Sequence, residues 1–279
     1  MKAALLQTTS SDDPTENLAM LERRIAEAVS DGAGYVLTPE VSNCVSVSRA
    51  HQEAVLAHEE DDLTLAGLCA AAKTHGIWLT IGSLALKTHD ADGRFANRQF
   101  LIDPEGEIRA RYDKIHMFDV EVSAEETYRE SAGYRPGIKA VAIETPFAKI
   151  GLSICYDVRF PRLFNTLANA GAEVLTVPAA FSPVTGVAHW HSLLRARAIE
   201  TGCWVLAPAQ TGLHSAQAGK SRKTYGHSLA ISPWGEVVGD AGVEPCTLFV
   251  ELDRTQVVEA RRRVPSLTHE TEFDGPEPT

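Results

Sequence analysis

A chain of 279 residues with a formal net charge of −11 offers no basic face for nucleic acid, because phosphate binding requires clustered Lys and Arg. A hydrophobic fraction of 44% beside 23% charged residues belongs to a globular protein with a substantial core, and no window approaches the length of a membrane span. Five scattered cysteines, Cys44, Cys69, Cys155, Cys203 and Cys246, are odd in number and never form a CxxC pair. They argue against a disulfide framework or zinc ribbon and for reduced thiols in the cytoplasm.

Lys2–Gln7 reads as an opening strand, since its apolar run is too short for a signal peptide. Pro14–Ser30 carries Leu18, Leu21, Ile25 and Val29 at helical spacing, with Asp12 or Asp13 placed to cap it. A short strand, Tyr35–Leu37, runs into Thr38-Pro39-Glu40. A helix is predicted over 63–73 and a strand over 77–86. Asp103-Pro104-Glu105-Gly106 and Ser232-Pro233-Trp234-Gly235 each place Pro second and Gly fourth, as type I turns prefer, between apolar runs. Both halves of the chain should therefore hold antiparallel neighbours within an α/β alternation, giving mixed sheets. No fixed-period repeat or low-complexity linker divides the chain, so 1–279 is expected to form one domain. From about residue 264 the chain is expected to be mobile or to contact a partner, His269 to Thr279 being acidic and Pro-rich.

Residues 148–155 alternate like a strand that stops at Cys155, and a helix is predicted from 162 to 170. A thiol at such a junction is exposed on a tight bend near outward-pointing N–H groups, a setting that favours thiolate. A buried strand-end cysteine is the competing reading. A Cys–His hydrolase is a further option, with His116 and His227 in loop positions, although nothing local distinguishes either. His189 and His191 are a poor chelate, because helical residues two apart diverge. Gly226-His227-Ser228 lacks the second Gly of a serine-nucleophile elbow. Glu40 at a strand's C-terminal end and Lys114 in an aromatic setting look chemical, against the alternatives of a solvated acid and a snorkelling lysine.

Taken together, Pro39-Glu40, then Tyr112-Asp113-Lys114-Ile115-His116, then Gly151-Leu152 with Ile154-Cys155-Tyr156-Asp157 and Arg159-Phe160-Pro161 resemble the nitrilase superfamily of carbon–nitrogen hydrolases. The likeness runs in order from Lys2 to about Arg263. It implies a four-layer α-β-β-α sandwich with two mixed sheets, a Glu-Lys-Cys triad and pairing of protomers into a homodimer or higher oligomer. On that resemblance Glu40 is the general base, Lys114 the oxyanion stabiliser and Cys155 the nucleophile. Glu130 is the second glutamate that orients the lysine, and the Tyr156 N–H is a further oxyanion donor. No cofactor or metal is implied, and no membrane or nucleic-acid partner.

Ala180-Phe181 with 183–190, Ala209-Gln210-Thr211-Gly212 and Tyr225-Gly226-His227-Ser228 resemble the branch that holds omega-amidases and deaminated glutathione amidases. That resemblance assigns Arg159 to a substrate carboxylate and Thr185, with Tyr156 and Phe181, to the pocket. An ion pair of Arg159 with Asp157 or Glu173 is the structural alternative. The expected reaction releases carboxylate and ammonia from a small 2-oxo acid amide, either deaminated glutathione or 2-oxoglutaramate. An N-carbamoyl amide hydrolase is the alternative within catalysis, and a non-catalytic scaffold the alternative outside it. The segment 215–220 is longer than usual for the branch and is expected to reshape the pocket mouth.

Overall fold

The computed structural model describes residues 1–122, 127–269 and 271–276. In chain order the elements are β1 (Lys2–Gln7), α1 (Pro14–Ser30), β2 (Tyr35–Leu37), α2 (Arg49–Val55), α3 (Leu63–His75), β3 (Trp78–Leu86), β4 (Ala96–Ile102) and β5 (Ile108–Asp113). Two short strands follow, β6 (Asp119–Glu121) and β7 (Thr127–Arg129), then β8 (Val141–Glu144), β9 (Lys149–Leu152), α4 (Pro161–Asn169), β10 (Val174–Thr176), α5 (Pro183–Thr201) and β11 (Trp204–Ala207). The chain closes with β12 (Thr211–His214), β13 (Arg222–Tyr225), β14 (Leu229–Ile231), β15 (Val237–Asp240), β16 (Cys246–Glu251) and α6 (Arg254–Arg263).

Two six-stranded sheets result, ordered β16-β1-β2-β3-β4-β5 and β15-β14-β11-β10-β9-β8. Their pairing is the same when each is read from its edge. One antiparallel step (β16-β1, β8-β9) is followed by two parallel steps and then two antiparallel ones. The parallel steps are those bridged by helices, because a parallel neighbour can be reached only by a crossover. The antiparallel steps end in the two Pro-Gly turns read from sequence, where Gly106 (φ 81°) and Gly235 (φ 85°) take the left-handed conformation. The topological repeat leaves no sequence period because side chains, not topology, diverge. Its edges differ too: β8 directly precedes β9, whereas β16 arrives from the far end of the chain to pair with β1.

Both faces of the first sheet are buried, and alternation along β1 divides its side chains between them. Ala3 and Leu5 join Tyr35, Leu37, Ile150, Leu152 and Leu175 in the core between the sheets. Ala4 and Leu6 point the other way, against Leu21, Ile25 and Leu68 of α1 and α3. On the far side of the second sheet Phe164 of α4 and Trp190 and Leu194 of α5 complete the outer layer. The architecture is the four-layer α-β-β-α sandwich.

Local signals set the boundaries. Asp13 caps α1 by accepting from the N–H groups of Thr15 and Glu16, with Pro14 as first residue. Gly76 ends α3 at φ 63°. The segment after α6 lies on its own chain: Ser266 Oγ donates to the Glu200 carbonyl at 3.1 Å, and Leu267 lies beside α4 and α5 of the outer layer. Residues 271–276 have no regular structure, and the rest of the tail expectation, at 270 and 277–279, lies outside the described residues.

Gly82, in the irregular stretch of β3, decides where Glu40 can sit. A Cβ there would overlap the Thr38 carbonyl oxygen and crowd that of Pro39, and the Gly82 N–H donates to Thr38 Oγ1 at 3.0 Å. Gly82→Ala is therefore expected to lower stability by about 2–3 kcal/mol in denaturant unfolding, the usual cost of overpacking. It should lower catalytic turnover as well, since the segment carrying Glu40 must move.

Candidate active site

Glu40, Lys114, Cys155 and Ala180 follow the C-terminal ends of β2, β5, β9 and β10, where an open α/β sheet commonly presents its ligand site. The two sheets thus bring four distant segments to one end of the sandwich. They line a cavity of about 460 Å³ together with Glu130, Asn97 and the aromatic rings of Phe118, Tyr128, Tyr134, Tyr156 and Phe181. That volume suits a small organic molecule.

At its floor Lys114 Nζ donates to Glu40 Oε1 at 2.9 Å and to both Glu130 oxygens at 2.9 Å. The ammonium is 2% exposed, so burial alone would discharge it. Burial lowers its pKa, but Glu130 first and Glu40 second more than reverse this, and Lys114 ends well above its ordinary value. Burial likewise pushes the Glu40 carboxyl up, and Lys114, by charge and hydrogen bond, brings the net shift below the usual carboxylate range. The remaining lone pairs are met. Asn97 Nδ2 donates to Glu40 Oε1 at 2.9 Å, the Ala180 N–H to Glu40 Oε2 at 2.8 Å, and the Phe118 N–H to Glu130 Oε2 at 2.6 Å.

Of the two readings of Cys155 left open by the sequence, the structure has the buried one: burial and then the neighbouring Glu40 charge raise its thiol well above its ordinary value, with Lys114 opposing. Its backbone has φ 49°, in the left-handed region that costs a non-glycine residue roughly 1–3 kcal/mol. The turn is held by the Cys155 N–H donating to the Pro178 carbonyl at 2.9 Å and by Asp157. Fully buried, Asp157 accepts from the Ile154 N–H (2.8 Å), Tyr112 Oη (2.7 Å), and His116 N and Nδ1 (3.1 and 2.6 Å). One carboxylate therefore ties the turn at Cys155 to the strand and loop that deliver Lys114.

The other expected residues divide. Tyr156, Phe181 and Thr185 line the cavity. Arg159 is not among the lining residues: its Nη2 lies 3.2 Å from His189 Nδ1, and its guanidinium stands 5.8 and 5.7 Å from the Tyr156 and Phe181 ring centres. Nor does it pair with Asp157 or Glu173, which are engaged by His116 and Arg254. Residues 215–220 do not line the cavity either. The Gln217 and Ala218 N–H groups donate to the buried Asp12, ahead of α1, and it is the following strand that delivers Arg222 to the wall.

Asn97, Arg222 and Arg49 went unread because each comes from a segment without a local signature, and Asp157, within the cysteine block, reads from sequence only as a candidate partner of Arg159. Cys44 also lines the wall, and burial, with Asp12 and Asp13, pushes its thiol up to about 12, which suits an inert residue. His191 pairs not with His189 but, through Asp240, with His227, at 3.0 and 2.9 Å, away from the cavity.

The charge balance at Cys155 is testable. Glu40→Gln removes a charge that raises the thiol and leaves Lys114, which lowers it. Ultraviolet thiolate titration against a Cys155→Ala blank should therefore place the Cys155 midpoint at lower pH in Glu40→Gln than in wild type. An unmoved midpoint would mean that burial alone keeps the thiol protonated.

The carbon–nitrogen hydrolase family profile matches residues 2–262. The chain is 38% identical over 267 residues to a deaminated glutathione amidase of Yersinia enterocolitica, covering 95% of this chain and 91% of that protein. The nitrilase and fragile histidine triad fusion protein of Caenorhabditis elegans superposes with a TM-score of 0.87 at 35% identity, over 96% of this chain and 64% of that one. An amidase from Nesterenkonia sp. AN1, in a Glu-to-Gln variant carrying an acrylamide adduct on its active-site cysteine, superposes at 0.77 with 27% identity, over 95% of this chain and 98% of that one. Family profile, relatives and fold agree, and the chain belongs to the carbon–nitrogen hydrolase family, within the nitrilase superfamily.

Proposed function

We propose that this protein hydrolyses the amide of a small 2-oxo acid through a thioester on Cys155, with Glu40 as general base, Lys114 as oxyanion stabiliser and Glu130 holding the lysine. The observation that carries the reading is the geometry of the floor: a buried ammonium 2.9 Å from two carboxylates, beside the buried Cys155 thiol, whose pKa burial and the Glu40 charge raise. Such a thiol is a poor nucleophile until a base removes its proton, and Glu40 is the base at hand.

The steps follow from those groups. Glu40 takes the thiol proton as Sγ attacks the amide carbon. The oxygen that becomes negative is met by Lys114 Nζ and by the N–H of Tyr156, which stands in the first turn after Cys155, where helical N–H groups lack intrahelical partners. Protonated Glu40 then gives its proton to the departing amine, and the carbon–nitrogen bond breaks to leave the thioester. The restored carboxylate deprotonates water, which attacks the thioester carbon. Collapse releases the acid and returns the proton to sulfur.

The substrate reading draws on the deaminated glutathione amidases among the relatives and on a cavity that joins aromatic walls to cations. The leaving group depends on which amide is bound. It is ammonia for 2-oxoglutaramate, but for deaminated glutathione it is the amine of cysteinylglycine, so ammonia alone is an incomplete assay. Both substrates yield 2-oxoglutarate.

The test is 2-oxoglutarate formation from each, beside ammonia release from an N-carbamoyl amino acid and a neutral aliphatic amide. Wild type should turn over the 2-oxo acids. Cys155→Ala should abolish turnover, and Lys114→Met should reduce kcat by about 10²–10³, the loss typical of one oxyanion donor. Turnover confined to the other two substrates would sink the substrate reading and keep the chemistry.

We also propose assembly into at least a homodimer, supported by the exposed Val184, Val187 and Ile199 on α5 and Val258 on α6. Light scattering should give a mass of at least two chains.

A further inference from the structure

The cavity wall carries a cation that the chemistry above does not use. Arg222, at the start of β13, lines the same cavity as Cys155 and Glu40. Its Nη2 donates to the Ala180 carbonyl at 2.6 Å, while the N–H of the same residue donates to Glu40. One residue of backbone therefore sets the guanidinium at a fixed remove from the reacting groups.

The other cations of the wall are committed. Lys114 is held by Glu40 and Glu130. Arg49 is held by Glu53 at 2.7 Å and the Gly133 carbonyl at 2.9 Å, and it lies over the Phe95 ring. Arg129 pairs with Glu121 at 2.8 Å. Arg222 has no carboxylate partner among the described residues, and its Nε is buried without a hydrogen-bond acceptor. Beside that carbonyl the guanidinium has the Tyr128 ring, 6.0 Å away at its centre, so its fork is free of any carboxylate at hydrogen-bond distance among the described residues, and a planar carboxylate is the ligand that the fork matches best.

We infer that Arg222 receives the carboxylate of the substrate and so determines the preference for anionic amides. This rests on the amidase reading and deepens it. Arg159, outside the lining residues and engaged with His189, is then a rim residue, not the carboxylate's principal partner.

A second effect must be separated. The Arg222 charge also helps to hold Glu40 ionised, so losing it acts on every substrate through the base. The experiment therefore reads a ratio: kcat/KM for 2-oxoglutaramate over kcat/KM for pentanamide, a neutral amide of the same chain length. It is measured in wild type, Arg222→Met, Arg222→Lys and Arg159→Ala.

The ratio should fall roughly 10- to 100-fold in Arg222→Met, the range for one hydrogen-bonded charge contact, chiefly through KM for the anionic amide. Arg222→Lys should recover part of it and stands in if the Met variant does not fold. Arg159→Ala should keep the ratio within about threefold, less than one such contact. Parallel loss of both substrates in the Arg222 variants would overturn the inference and assign Arg222 to Glu40 alone. Collapse of the ratio in Arg159→Ala but not in the Arg222 variants would overturn it in favour of Arg159. A wild type with no preference for the anionic amide would instead overturn the 2-oxo acid reading itself, before any variant is compared.

Discussion

Lys114 holds its ammonium 2.9 Å from Glu40 and from both oxygens of Glu130 with almost no access to solvent. Removing three charges from water is costly, and their attraction offsets that cost only where the leftover lone pairs also find donors. Those donors come from segments far apart in sequence: Asn97 on β4, the Phe118 N–H beyond β5 and the Ala180 N–H beyond β10. The cluster of Glu40, Lys114 and Glu130 therefore depends on both sheets being formed and stacked. Loss of one partner would leave an uncompensated buried charge, typically worth 3–5 kcal/mol.

The same constraint explains the strain and the protonation at Cys155. A cysteine opening a turn at φ 49° needs its surroundings to over-determine it. Asp157 does much of this, joining the Ile154 N–H, Tyr112 and His116 in one buried network. Burial and the Asp157 charge keep the Tyr112 phenol protonated and donating. The elbow and the lysine loop are thereby held in one register, and the thiol rests protonated against a carboxylate already ionised. No exposed thiolate is then open to oxidation at rest.

Both sheets repeat one topology, yet the site is asymmetric. Glu40 follows β2, whereas its topological counterpart in the second sheet, β10, leads to Ala180, which offers only backbone. Cys155 follows β9, while β1, its counterpart, leads to Thr8 and Ser10, which bond Gln210. Two similar half-folds thus meet with different side chains at equivalent strand ends, one supplying the carboxylate and the other the sulfur.

Much of this was legible in the sequence. Period-two and helical spacing identified β1, α1, β2 and α3 nearly to the residue, and the two Pro-Gly turns identified the hairpins, because these depend on neighbours within a few residues. The blocks around Glu40, Lys114 and Cys155 could be recognised because they occur together and in order, the glutamate block only in company with the other two. Whether Cys155 is exposed or buried stays open at that level, since strand-to-helix geometry says nothing of what packs over the turn. Arg159, four residues past Cys155, is assigned to a substrate carboxylate through the resemblance to the branch. Arg222, 67 positions beyond Cys155, reaches the cavity only through the β12–β13 hairpin. The sequence by itself determined the elements, their order and the residue types that can do amide chemistry, all short-range properties of the chain. Only the tertiary structure decided which charges share the cavity and which carry a proton, because those depend on burial and on distances between segments remote in sequence.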